Sequence, residues 1–236
     1  MLTRKGRELE LSPVNDSQVW RPVNRAHLLI SRRIQTGESR AVIQGFQDTL
    51  FAATGEHWSP SYVIPNLPVA ATERIDTAWL SRCSEKWMGQ INVEDMIFKA
   101  KKFYDYPSWQ KIIIVLNNPI SREEDSLINL FGTAEIGGRI GVVTVNKFRK
   151  FIPYGRLRLD MIRRLARHES GHMFGLDHCK NICTMKFSPN VNASKDVTQK
   201  QEERKIIFCP DCMLKLSQQS MATHQTPTSA LPSKPQ

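Results

Sequence analysis

The stretch His168-Glu169-Ser170-Gly171-His172-Met173-Phe174-Gly175-Leu176-Asp177-His178 constrains this chain more than any other. It reads H-E-x-x-H-x-x-G-x-x-H. Residues four apart on a helix lie one above the other, so a helix here points His168 and His172 the same way. Their imidazoles can then reach one zinc ion at about 2.0–2.1 Å. Glu169 adjoins the first of them and can approach a bound water without ligating the metal. Gly175 allows a sharp turn after the last helical turn, which returns His178 as a third ligand. Three histidines leave a fourth position open, the arrangement of a catalytic zinc. Such a zinc lowers the pKa of its water toward ~7 and polarises a carbonyl. Glu169 then takes the proton as general base and hands it to a leaving amine. Half of the chain's six histidines fall in this one window, which argues against ordinary surface or core histidines. His27, His57 and His224 lack ligand-like spacing and are assigned no function.

The 236 residues suit one domain with tails. Hydrophobic residues at 40% and charged residues at 24% exclude a disordered chain. No apolar run approaches the ~20 residues of a membrane-spanning helix, so no membrane association is expected. Met1 to Glu8 carry positive charge with no apolar stretch behind them, so no secretory signal is expected and the location reads as intracellular, in the cytoplasm. The net charge of +10 reads as a solvated basic face, with clusters at Lys147-Phe148-Arg149-Lys150 and along Arg156, Arg158, Arg163, Arg164 and Arg167. No nucleic-acid motif accompanies them, so no nucleic-acid partner is expected.

Residues 1–24 read as a loosely ordered lead, 25–216 as one domain and 217–236, rich in Ser, Gln, Thr and Pro, as a disordered tail. Within the domain, strands are predicted at Ala26–Ile30, Tyr62–Ile64, Lys111–Leu116, Asn129–Ala134 and Ile140–Val145, the last two joined through Gly137-Gly138. Helices are predicted over Ala41–Ala53, stopped by Gly55, then through Ile75, Trp79, Cys83 and Trp87, over Val93–Phe103, and from Leu157 to a stop at Gly175. Cys83 is read as a buried small hydrophobe.

Cys179, Cys183, Cys209 and Cys212 cluster in the last third of the chain. In a reducing compartment such clustering favours metal ligation over disulfides. The pair Cys209-Pro210-Asp211-Cys212 is a common half of a structural zinc site, and Cys179 and Cys183 would supply the other half. Four thiolates at ~2.3 Å make a closed site whose role is folding. A redox C-x-x-C is the rival reading, but no thioredoxin-like unit surrounds it.

These residues together resemble the archaemetzincin family of zinc metallopeptidases. The resemblance rests on His168 to His178, on Cys179 directly after the third histidine, on Cys183-Thr184-Met185 and on Cys209 to Cys212. Met185-Lys186-Phe187-Ser188, Phe131 to Ala134 and Arg139 to Val143 add to it. It covers residues 111–216 and weakens over 26–110. It implies an α+β fold: a metzincin-like twisted mixed β-sheet with flanking helices, an active-site helix under the cleft and a small zinc-stapled C-terminal segment. It implies that Met185 is the Met-turn residue below the catalytic zinc. It also implies that an edge strand carrying Gly132, Thr133 and Ala134 pairs with an extended substrate. Two departures stand out. Three residues, where the family usually has four, separate Cys179 from Cys183, which permits either a four-thiolate site or one with three thiolates. The spacer from Met185 to Cys209 is long, and its polar Asn190–Arg204 stretch reads as a surface loop.

The expected function is zinc-dependent hydrolysis of peptide bonds by a monomer holding two zinc ions, one catalytic and one structural, with a peptide or protein as substrate. The alternative is a zinc-stabilised binding module with little or no hydrolysis, associating with nucleic acid or acidic partners. The presence of Glu169 argues against it.

Overall fold

The computed structural model describes residues 26–31, 34–54, 74–75, 85–86, 90–103, 111–122 and 130–223. Its centre is the strand with the most β-branched sequence, Lys111–Leu116, where five consecutive side chains are buried. Period-two alternation sends Ile112, Ile114 and Leu116 to one face and Ile113 and Val115 to the other, so both faces need cover.

In chain order the strands are β1 (Ala26–Ser31), β2 (Arg74–Ile75), β3 (Glu85–Lys86), β4 (Gln90–Asn92), β5 (Lys111–Leu116), β6 (Ile120–Ser121), β7 (Gly132–Ala134) and β8 (Ile140–Thr144). The helices are α1 (Thr36–Thr54), α2 (Val93–Phe103), α3 (Asn146–Phe151), α4 (Arg156–Met173), α5 (Val191–Arg204) and α6 (Pro210–Thr223). The main sheet runs β2-β1-β5-β8-β7, all parallel except β7, which returns antiparallel to β8. A small sheet of β3, β4 and β6 meets it where Ile120 bridges Leu130. This is the α+β fold expected of the sequence.

One face of the main sheet packs on α2 through Met96, Ile97 and Ala100. The other packs on α1 and α4 through Phe46, Met161, Ile162 and Leu165. Helices α1 and α4 cross closely at Gly45, where a Cβ would stand 2.8 Å from that of Ala166. Thr49 fastens the crossing by donating to the Arg167 carbonyl at 3.2 Å. A third cluster, with Ala52, Leu176, Cys183, Met185, Phe208 and Leu216, ties the end of α1 to α6.

Several expectations change. Ile75 and Glu85–Lys86 lie in strands, not in the helix predicted through Ile75 to Trp87. The pairing of β2 with β1 and of β3 with β4 outweighs the four-residue spacing. Trp79, Cys83, Trp87, Gly55, Tyr62–Ile64, His27's side chain, His57 and His224 lie outside the described residues, as do 1–25 and 224–236. The stretch read as a surface loop is α5. The Asn190 side chain accepts the Ala193 N–H at 2.9 Å to begin it, and Lys205 ends it in a left-handed turn at φ 51°. The tail expected to lose structure from Ser217 is helical to Thr223.

The arginines of α4 form a solvated face only in part, at Arg156, which is exposed, and Arg163, which is half-buried. Arg158, Arg164 and Arg167 are all buried. Arg158 lies 3.6 Å from the buried Glu38 and Arg167 3.7 Å from Asp48, both on α1. Arg149 grips Glu38 from the other side through two nitrogens. Among the described residues no helix is long and apolar enough to cross a membrane.

Candidate active site

Helix α4 ends in the motif. It buries His168, Glu169 and His172 in its last turns, while His178 is exposed beyond it. The turn between them requires Gly175, whose φ of 83° an L side chain rarely adopts. The N–H groups of Gly175 and Leu176 bond the carbonyls of His172 and Gly171 at 2.8 and 2.9 Å, closing the helix and reversing the chain. The ring of His178 then lies 5.3 Å from that of His168 and 4.9 Å from that of His172.

The tautomers follow from the partners. Nδ1 of His168 faces the Thr184 carbonyl and Nδ1 of His172 the Leu176 carbonyl, each at 2.8 Å. A carbonyl only accepts, so both Nδ1 atoms carry the proton and both Nε2 atoms carry bare lone pairs. Those lone pairs face each other at 3.2 Å. Burial, and then the neighbouring His172, pull His168 down to about 3, and burial lowers His172 too, so the rings stay neutral. Two buried acceptors with no proton between them need a cation. Two ligands on a tetrahedral zinc at about 2.05 Å are separated by ~3.3 Å. The donor set and its spacing fit zinc.

Glu169 points from α4 toward β7. A Cβ on Gly132 would stand 2.7 Å from Glu169 Oε1, so the glycine gives the carboxylate its space. Burial pushes the Glu169 carboxyl up to about 8, against the pull of Arg122 and Arg164. Beneath the histidines Met185 is fully buried. Its thioether occupies the space a side chain on Gly171 would need.

The sequence reading gave no place in the site to three of the neighbours. Arg164 donates to the Lys186 carbonyl at 2.6 Å and the Thr184 carbonyl at 3.4 Å, holding the segment that orients His168. Arg122 follows β6 and reaches Thr133 Oγ1 at 3.5 Å. Phe187 stacks obliquely on His178 at 5.2 Å. No local motif marks Arg122, because its relation to Glu169 is set by how the small sheet meets the main one. The cleft over these residues has a volume of about 330 Å³ and runs from Phe131–Ala134 to Phe187–Pro189.

The four cysteines come together despite the short spacing between the first two. All four Sγ atoms lie within 4.8 Å of one another, and Cys179 and Cys209 are 3.6 Å apart. Thiolates on one zinc at ~2.3 Å would be separated by about 3.8 Å, so this set also fits. The backbone N–H of Cys209 donates to Cys183 Sγ at 3.3 Å and the Asn181 amide to Cys209 Sγ at 3.6 Å. Burial pushes the Cys209 thiol up, but the Cys212 backbone N–H and Asn181 outweigh it and bring it to about 7. Burial raises Cys183 and Cys212, which therefore need a cation to ionise.

A mixed sheet with one antiparallel edge strand, lying over a helix that presents paired histidines and a glutamate, defines a metzincin-like domain. The sequence agrees: residues 66–218 match the model of peptidase family M54, and the chain belongs to that family. The chain is 38% identical over 87 residues to an archaemetzincin of Archaeoglobus fulgidus, covering 37% of this chain and 49% of the relative. It is 36% identical over 93 residues to one of Thermococcus kodakarensis, covering 37% and 46%. The matches thus span about half the length of these curated relatives. In fold the chain is similar to a crystal structure of archaemetzincin from Methanopyrus kandleri, with TM-score 0.60, 20% identity and coverage of 87% of this chain and 99% of that one. It is also similar to a zinc-dependent peptidase from Methanocorpusculum labreanum, with TM-score 0.58, 20% identity and coverage of 81% and 100%.

Proposed function

We propose that this protein is a zinc metallopeptidase that hydrolyses peptide bonds. The observation that carries the proposal is the pair of bare Nε2 atoms 3.2 Å apart, one residue from a carboxylate set against the edge strand. His168, His172 and His178 would hold the zinc. When bound, zinc supplies a Lewis acid that polarises the scissile carbonyl and acidifies the attacking water. Glu169 accepts the proton of that water and delivers it to the departing amine. The Thr184 and Leu176 carbonyls keep the two helix histidines in the tautomer that frees Nε2. Met185 supports the floor of the site.

Substrate orientation would come from β7. The Thr144 N–H donates to the Phe131 carbonyl at 2.8 Å, which makes 131 and 144 a hydrogen-bonded pair. Bonded pairs alternate along an antiparallel ladder, so Gly132 and Ala134 turn their N–H and C=O groups away from β8. An extended peptide added there meets ready donors and acceptors. A second zinc on Cys179, Cys183, Cys209 and Cys212 would be structural, since four thiolates leave no open position.

The test is cleavage of a diverse peptide library by zinc-loaded protein beside Glu169→Ala prepared identically, with products read by mass spectrometry. Cuts by the parent that disappear in the variant are expected. Identical product profiles, or no cuts by the zinc-loaded parent, would overturn the peptidase reading.

A further inference from the structure

The edge strand has a second groove on its other face. It holds about 400 Å³ between β7 and α2. Ile97 and Phe98 line it on the α2 side and Thr133 on the strand side, and the Lys101–Glu135 ion pair, at 2.6 Å, stands at its rim. Phe98 is 56% exposed, with Lys102 Nζ over its ring 4.2 Å from the centroid. Arg122, Thr133 and Ala134 line both this groove and the cleft over the histidines, so the two are continuous around the strand.

Strand parity decides what each side can receive. Gly132 pairs with Val143 and Ala134 with Gly141, while Thr133 pairs with Val142. Val143 belongs to the core on the α4 side and Val142 to the core on the α2 side. Residues directly opposite on paired strands project to the same face. A peptide added to the free edge therefore sends the side chains opposite Gly132 and Ala134 toward Glu169. The one opposite Thr133 goes toward Phe98.

We infer that the groove between β7 and α2 is a second substrate subsite. It takes a large apolar or aromatic side chain from the substrate residue next in sequence to one facing Glu169. The inference rests on the strand-pairing part of the proposed function. Phe98 and Ile97 offer apolar surface, and Phe98 would lose its exposure to water on binding. The Lys101–Glu135 pair at the rim is mutually neutralised, and the other two charged residues of the lining, Glu94 and Arg122, are of opposite sign, so the groove carries no net charge for the occupant to match. Selection would thus require two adjacent residues, one read on each face of the strand.

Fluorescein-labelled hepta-alanine peptides carrying one Phe, two adjacent Phe, or two Phe separated by one Ala test this by fluorescence anisotropy on zinc-loaded Glu169→Ala protein, which avoids cleavage. The adjacent pair should bind about tenfold or more tighter than the single Phe, the scale of filling one apolar pocket. Adding Phe98→Asp should remove that gain, and Phe98→Leu should keep most of it. No advantage of the adjacent pair, an advantage that survives Phe98→Asp, or no binding of any peptide would overturn the subsite. Cleavage by the parent is read separately. Glu169-dependent cuts without an adjacent-pair effect sink the groove alone, and the pair effect without cuts sinks the peptidase reading alone.

Discussion

The thioether of Met185 lies where a side chain on Gly171 would have to go. The missing Cβ at 171 is what allows the methionine to rest against the turn of α4 that carries His168 and His172. Gly171→Ala forces one of them to move, and overpacking of this kind costs about 1–3 kcal/mol. Urea denaturation of the zinc-loaded protein should show that loss. An unchanged midpoint would mean that Met185 is free to shift aside.

Gly132 has the same relation to Glu169. A Cβ there would stand 2.7 Å from Oε1 and 2.8 Å from the Val142 carbonyl. Gly132→Ala should displace the carboxylate and lower peptide cleavage by roughly a hundredfold, the scale of a 1 Å misplacement. Zinc content should stay at the parent level. Full activity in that variant would remove Glu169 from its place against the strand.

Metal analysis should find two zinc ions per folded chain, and one in Cys212→Ser. That variant should also melt lower by ~5 °C or more, since a loss of about 2 kcal/mol shifts a domain of this size by that amount. A single zinc in the parent, unchanged by the substitution, would disprove the four-cysteine site.

Lys111 donates to the carbonyls of Gly138 and Met173, each at 2.8 Å, and so ties the end of α4 to the turn before β8. Burial lowers its amine to about 8 from the usual 10.5. Between those values the unfolded chain binds more protons than the folded one, so this lysine's contribution to stability grows as pH rises. It is complete above 10.5 and lost as pH falls through 8. The stability difference between the parent and Lys111→Met should therefore shift in the parent's favour from pH 7.5 to pH 10. A difference flat with pH would place the lysine's charge in water.

The legible parts of the chain were those whose signal is local. The apolar run of β5, the spacing of Val93 to Phe103 and the glycine that ends α4 each state their structure within a few residues. Helix α5 was missed because its buried side, with Ser194, Val197, Thr198 and Gln201, is largely polar. Its burial depends on partners such as Thr184 Oγ1, which Gln201 reaches at 3.2 Å. Arg158 and Arg167 of α4 misled for a similar reason. Their acids, Glu38 and Asp48, lie on a helix more than a hundred residues away, and only the close crossing at Gly45 brings them near. The histidine and cysteine clusters were legible as sets, while Arg122 and the groove beside Phe98 depend on strand order, which spacing does not encode.

The segment Cys183-Thr184-Met185 serves both clusters at once. The first residue belongs to the thiol set, the carbonyl of the second holds the His168 ring, and the third fills the floor under α4. There is no slack between them. A one-residue insertion or deletion here would put both clusters out of register together, so the length of this tripeptide is fixed by two sites at once.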